Sequence, residues 1–202
     1  MTLTMNNYEK NISIIKNCIS VKEQNLIENY VSNSNFYWNY YEGTILKDDL
    51  YSTNYCVIEK GINPPQFCHI VSMNKNSNLI FFQNIFNFLS AHYNCNLHIL
   101  KCKINLLMQN TDNTHHYPHA DIDNFDEDIR SAIYYINDSD GETYFFNEFA
   151  PKQSNIITTK QKIFPKKGSI LLFDSRRFHS SSSPISSKRR MVLNITFRLP
   201  KE

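Results

Sequence analysis

Three features in the second half of the chain have residue types and spacings that could do chemistry together. The first is His119-Ala120-Asp121, inside the run His115-His116-Tyr117-Pro118-His119-Ala120-Asp121. At a strand end, residues i and i+2 point to the same side, so His119 and Asp121 can converge on one ion. The second is His179, five residues beyond the apolar run Ser169-Ile-Leu-Leu-Phe-Asp174. Two imidazoles and one carboxylate on one face of an octahedron, with the opposite face open, form a donor set suited to Fe(II). A His-x-Asp triplet alone is a weak signal, and the third feature changes its weight. Arg190 opens an alternating run in which Arg190, Val192, Asn194 and Thr196 share one face and Met191, Leu193, Ile195 and Phe197 the other. The all-apolar face must go to packing. Arg190 therefore lies on the polar face, where a planar guanidinium can grip a carboxylate with two parallel hydrogen bonds. Arg189 points the opposite way, toward solvent at the strand mouth.

Holding these groups together calls for strands, and from residue 97 the pattern takes a period of two. Strands are expected over 97–108, 130–137, 143–148, 155–159, 169–174 and 189–198. Short strands without intervening helices imply an antiparallel sandwich or barrel, not alternating strand and helix. The first half reads as support. Ser20-Val-Lys-Glu23 is a capping box ahead of a helix over 21–32, with Val21, Leu26, Ile27, Tyr30 and Val31 at helical spacing. The aromatic run 36–41 suggests a strand, 42–75 loops with short strands, and Ser77 a cap for a second helix over 78–93. The fold class expected is α+β, mainly β: a double-stranded β-helix (jelly roll, cupin-like) buttressed by N-terminal helices. Residues 1–202 form one domain, with support in 1–96 and the jelly-roll core in 97–198.

Composition narrows the classes further. Twenty-one Lys and Arg against nineteen Asp and Glu give a formal charge of +2, so bulk charge does not hold this chain to nucleic acid. Only four Gly residues exclude a glycine-rich fibrous protein. No apolar run approaches the roughly 20 residues needed to span a bilayer, and the first residues lack the layout of a secretory leader. A cytoplasmic protein without a membrane partner is expected. The five cysteines are odd in number and form no C-x-x-C pair, which fits buried free thiols rather than a zinc ribbon or a disulfide framework.

Taken with their neighbours, the motifs resemble the 2-oxoglutarate and Fe(II)-dependent oxygenases, in particular the prolyl-hydroxylase-like branch. Tyr117-Pro-His-Ala-Asp121 and Arg130-Ser-Ala-Ile-Tyr-Tyr-Ile-Asn137 are similar to that branch's metal strand and its "YYLN" strand. Gly141-Glu-Thr-Tyr-Phe145 is similar to its "GGxTxF" turn, and Lys167–Asp174 followed by His179 to the strand that leads into the distal histidine. The likeness covers about half the chain. It implies His119, Asp121 and His179 as iron ligands, Arg190 as the binder of the distal carboxylate of 2-oxoglutarate, and Tyr135 as a phenol donor to that carboxylate. It implies Fe(II) as metal, 2-oxoglutarate as co-substrate and O2 as oxidant. Two departures stand out. His116 occupies the place, three before the first ligand, where many prolyl hydroxylases carry Tyr. The interval from His179 to Arg190 is also longer than common, which keeps Arg189 open as the alternative carboxylate binder.

The resemblance thus implies a dioxygenase that hydroxylates a C–H bond and releases succinate and CO2. Asp121 fills the third protein position, so hydroxylation is favoured over halogenation. The expected substrate is a protein or peptide side chain such as proline. Alternatives are oxidation of a nucleobase or small metabolite by the same chemistry, and a jelly-roll module that binds without turnover. The acidic run of Asp123, Asp126, Glu127 and Asp128 could rim a substrate entrance. Arg176, Arg177, Lys188 and Arg189 could form a basic rim, and Ser180–Ser183 reads as a turn. Sequence alone leaves the oligomeric state open.

Overall fold

The computed structural model describes residues 11–45, 61–71, 77–122, 128–150 and 157–200. Helix α1 (Val21–Val31) starts at the expected capping box: the Glu23 amide donates to Ser20 Oγ, and the Ser20 amide donates to the Glu23 carboxylate. Helix α2 (Gln83–Tyr93) begins later than its apolar stripe suggests. Ser77–Phe81 is a 3-10 turn, and the α-helix starts after Phe82 without a side-chain cap. It ends at Asn94, whose φ of 50° lies in the left-handed region that Asn tolerates.

Among the described residues, ten strands follow the helices or flank them: β1 (Ser13–Ile15), β2 (Asn39–Tyr41), β3 (Gln66–Ile70), β4 (His98–Met108), β5 (Ile129–Tyr135), β6 (Thr143–Phe149), β7 (Thr159–Ile163), β8 (Ile170–Asp174), β9 (Arg177–Ser181) and β10 (Arg189–Arg198). They pair antiparallel in two sheets, one ordered β1-β8-β5-β10-β4-β3-β2 and the other β7-β6-β9. The two faces of β10 divide as its alternation requires. Met191, Leu193, Ile195 and Phe197 join Ile27, Val31, Phe82, Ile85 and Leu89 of the helical layer in one core. Val192 faces the other way, into a second core that Ile133, Tyr135, Leu171 and Phe173 share with Phe145 and Ile163 of the smaller sheet. Each such apolar side chain taken from water contributes roughly 1.5–3 kcal/mol, so these two cores fix which way Arg190 points.

Three elements differ from expectation. The strand expected over 155–159 lies partly outside the described residues, and the observed one is β7, Thr159–Ile163. The serine run 180–183, expected as a turn, begins inside strand β9, although Arg177-Phe-His-Ser-Ser carries only one apolar residue. The backbone of β9 is satisfied on both sides, by β6 and by a bridge between His179 and His119. Strand β1 is only three residues long and is defined by pairing with β8, which local sequence does not announce.

Candidate active site

The bridge between His119 and His179 builds the site. The His119 amide donates to the His179 carbonyl at 3.0 Å and the His179 amide returns a bond of 2.9 Å, which sets the imidazoles side by side with centroids 4.5 Å apart. Two residues on, the Asp121 amide donates to the Ser175 carbonyl at 2.9 Å, so the carboxylate turns to the same side. One ligand atom from each of His119, Asp121 and His179 then falls within 4.8 Å of the others.

Each donor is oriented by its surroundings. His119 Nδ1 lies 3.2 Å from the Tyr117 carbonyl and His179 Nδ1 lies 3.1 Å from the Arg177 carbonyl. A carbonyl can only accept, so each Nδ1 carries the proton and each Nε2 keeps its lone pair for a metal. Burial, reinforced by the neighbouring His179, lowers the proton affinity of His119 and keeps it neutral. Burial alone would raise the Asp121 carboxyl. His179, His119, Lys101 and the Ser131 hydroxyl outweigh it and hold the group ionised. Ser131 Oγ donates to Asp121 Oδ2 at 2.6 Å and sits 2.9 Å from Ser175 Oγ. Two imidazoles and one fixed carboxylate, each with an outer hydrogen-bond partner, match what a divalent iron needs from a protein.

Arg190 lines the same polar pocket as the triad. It is only 3% exposed. Its Nε donates to the Gly141 carbonyl at 2.9 Å and its NH2 group donates to Thr143 Oγ1 at 2.8 Å. Gly141 makes room for it: a Cβ there would stand 3.0 Å from Arg190 Cδ and 2.6 Å from the Ser182 carbonyl. Among the described residues no carboxylate pairs with this guanidinium. A buried, unpaired cation is costly, and it is the feature an anionic ligand would relieve. Arg189 reaches the other side of the sheet, where it donates to Ser32 Oγ after α1. The Tyr135 hydroxyl donates to Thr143 Oγ1 at 2.8 Å and, fully buried, is pushed up to about 12. Tyr135 and Arg190 therefore meet on one hydroxyl, with Tyr135 behind it.

Several residues have places that sequence reasoning missed. His116 is 1% exposed and lines the pocket. Its ring nitrogens lie 3.1 and 3.3 Å from Ser181 Oγ and Ser183 Oγ. Burial first, then Arg190, pushes it down to about 3, so it is neutral. Ser131 had no local signal; Thr143 had one, since it is the threonine of the Gly-Glu-Thr turn. The supposed basic rim is not one: Arg176 chelates Asp174, and Arg177 is buried with its guanidinium 4.1 Å over the Phe149 ring. Of the acidic run, residues 123–127 lie outside the described residues, and Asp128 pairs with Arg130. No described helix is long and apolar enough to cross a membrane.

No protein-family model matches the chain, and no curated protein matches it in sequence. Solved structures do match in fold. One is the non-haem α-ketoglutarate-dependent epimerase SnoN of nogalamycin biosynthesis, with a TM-score of 0.64 and 10% identity over 95% of this chain and 79% of that one. A prolyl-4-hydroxylase from Pseudomonas putida gives 0.55 and 12% over 95% and 94%. HygX from Streptomyces hygroscopicus, solved with nickel and 2-oxoglutarate, gives 0.59 and 11% over 95% and 84%. At such identities the likeness is one of fold: this chain has the fold of the 2-oxoglutarate–Fe(II) oxygenases.

Proposed function

We propose that the chain is a 2-oxoglutarate- and Fe(II)-dependent dioxygenase that hydroxylates a C–H bond. Its paired sheets would be the double-stranded β-helix of that class, and residues 1–202 would act as one domain. The observation that carries this reading is the joining of His119, Asp121 and His179 with a buried, unpaired Arg190 on one pocket. When bound, Fe(II) with 2-oxoglutarate and O2 supplies the oxidation and releases succinate and CO2.

The chain's own residues bind and aim. His119 and His179 present Nε2, and Asp121 adds the single anionic protein ligand, held in place by Ser131. Arg190 takes the distal carboxylate of the co-substrate, with Thr143 and Tyr135 fixing its position. Ile133, Phe145 and Val192 wall the interior and keep water from the reacting groups. The likeness to a prolyl hydroxylase supports a peptide side chain such as proline as substrate; the likeness to an epimerase of nogalamycin biosynthesis supports a small molecule. A specific observation favours the small molecule: a further cavity of about 330 Å³ adjoins the metal pocket, sharing Thr44, Gln66 and Lys103 with it. Its size falls at the lower end of the roughly 300–1,000 Å³ typical of small-ligand sites. The test is to supply Fe(II), 2-oxoglutarate and pools of peptides, nucleotides and metabolites, and to follow succinate. Substrate-dependent succinate that disappears in Asp121→Ala supports the reading; its absence from every pool favours a binding module.

A further inference from the structure

Next to Arg190 the pocket wall carries hydroxyl groups whose protons no protein acceptor takes up. Ser181 stands directly opposite Thr143 across β9 and β6, and direct cross-strand partners share a face. Both line the pocket with Arg190. Thr143 Oγ1 accepts from Arg190 and from Tyr135, which fills its two lone pairs and leaves only its proton to offer. Ser181 also follows His179 by two residues on β9, so it faces the same side about 7 Å along the strand. That interval suits a five-carbon diacid that chelates at one end and meets Arg190 at the other. His116 holds Ser181 from the side: its Nδ1 lies 3.1 Å from Ser181 Oγ, its Nε2 lies 3.3 Å from Ser183 Oγ, and its amide donates to the Ser181 carbonyl at 2.7 Å. The ring is buried and neutral, so it has one N–H and one lone pair, and it must donate to one serine and accept from the other. If Ser181 donated to the ring, the Ser183 proton would be stranded in the interior without an acceptor among the described residues. In the opposite polarity Ser183 donates to Nε2, Nδ1–H donates to Ser181 Oγ, and the proton left over belongs to Ser181. Ser183 is buried and off the pocket wall, whereas Ser181 is half-buried and on it. A buried hydroxyl without an acceptor is costly, so the second polarity is the stable one.

We infer that Ser181 is a further binding residue for the co-substrate, donating its hydroxyl to the distal carboxylate beside Arg190 and Thr143, and that His116 is a positioning residue which, with Ser183, sets the direction of that hydroxyl. The inference rests on the function proposed above and adds to it a relay that runs from Ser183 through His116 and Ser181 to the carboxylate. Each bond in such a chain polarises the next, and the low dielectric of the interior strengthens all of them. The neutral ring supplies this direction without a second positive charge to repel Arg190. The guanidinium of β10, the threonine of β6 and the serine of β9 then present only donors to one place. An anionic oxygen answers every one of them, and a methyl group answers none.

The test is calorimetric titration of the Ni(II)-loaded protein with 2-oxoglutarate and with 2-oxopentanoate, the same carbon chain ending in a methyl group. In Ser181→Ala the affinity for 2-oxoglutarate should fall on the order of 10- to 100-fold, as for a lost hydrogen bond to a charged group. Affinities for 2-oxopentanoate and for Ni(II) should stay within about threefold of the parent, because neither involves the distal carboxylate. Ser181→Thr keeps the hydroxyl and should recover most of the loss. Ser183→Ala should weaken 2-oxoglutarate by at least about threefold although Ser183 is off the pocket wall, because the ring can then turn its lone pair to Ser181 and take up its proton. His116→Phe should lose as much as Ser181→Ala; should it fail to fold, the two serine variants carry the test. A Ser181→Ala variant that binds 2-oxoglutarate as the parent does, equal losses for the two oxo acids, or a parallel loss of Ni(II) affinity would overturn the inference. A parent protein that binds no 2-oxoglutarate would overturn the function proposed above as well, whereas a parent that binds it and a Ser181→Ala variant that matches it would overturn the relay alone.

Discussion

Replacing Arg190 by Met separates the cost of burying a cation from the benefit of binding with it. Without co-substrate, the guanidinium is 3% exposed and makes two hydrogen bonds, to the Gly141 carbonyl and Thr143 Oγ1. Methionine removes the buried charge, which stabilises, and forfeits two bonds worth about 1 kcal/mol each, which destabilises. Thr143 keeps its bond from Tyr135, so only the Gly141 carbonyl loses its partner outright. The ligand-free variant should therefore unfold within about 2 kcal/mol of the parent. Binding should respond very differently. Losing one member of a buried ion pair costs about 3–5 kcal/mol, which is a fall in 2-oxoglutarate affinity on the order of 10²-fold to several thousand-fold. Thermal unfolding of the Ni(II) form reads both quantities. At 2-oxoglutarate near 100 times its Kd the parent should gain about 2.7 kcal/mol, and Arg190→Met almost nothing at that concentration. Retention of affinity to within about tenfold in Arg190→Met, or the same loss in Arg189→Ala, would refute the assignment of the buried guanidinium to the carboxylate.

Other outcomes follow from single contacts. Ser131→Ala removes the 2.6 Å bond to Asp121 Oδ2 and should weaken Fe(II) or Ni(II) binding about 10- to 100-fold, read by metal titration, with Asp121→Ala weaker still. Tyr135→Phe should raise the 2-oxoglutarate requirement by no more than about tenfold, since one neutral hydrogen bond through Thr143 is involved; a loss as large as that of Arg190→Met would show direct donation by the phenol. Asp140 accepts from the amides of Ile185, Ser186 and Ser187, in the turn that feeds β10, and these bonds hold its carboxyl well below the usual range although burial opposes them. Its contribution is present above the unfolded value, roughly pH 4, and is lost as pH falls through the folded one. Asp140→Ala should cost about 1–2 kcal/mol at pH 7, discounted for solvent exposure, and should flatten the acid side of the stability profile measured by urea unfolding.

How much of this site can be read from sequence depends on whether one face of a strand is wholly apolar. In β10 it is, and the helices take that face, so the parity of Arg190 follows before any contact is known. In β9 the parity is concealed. His179 and Ser181 stand opposite Phe145 and Thr143, while Phe178 packs outward with Tyr144 and Phe146. The polar residues thus point inward and the one large apolar residue outward, the reverse of the usual alternation. The inversion has a physical cause: the inner face at this point lines a pocket of polar side chains, where nitrogen and oxygen find partners and methyl groups do not. Lys101 and Lys103 alternate with buried Cys102 and Ile104 along β4, as in a half-solvated strand, and Lys101 is exposed. They share that face with Asn105, opposite the Arg190 side of β10, and only the pairing of β4 with β10 reveals it. Where sequence alternation and the observed faces disagree, in β9, the polar groups converge on the pocket lined by His119, Asp121 and Arg190. The inverted parity of β9 therefore marks positions that face this pocket, and the pairing of β4 with β10 sets Lys103 and Asn105 on the same pocket wall as Arg190.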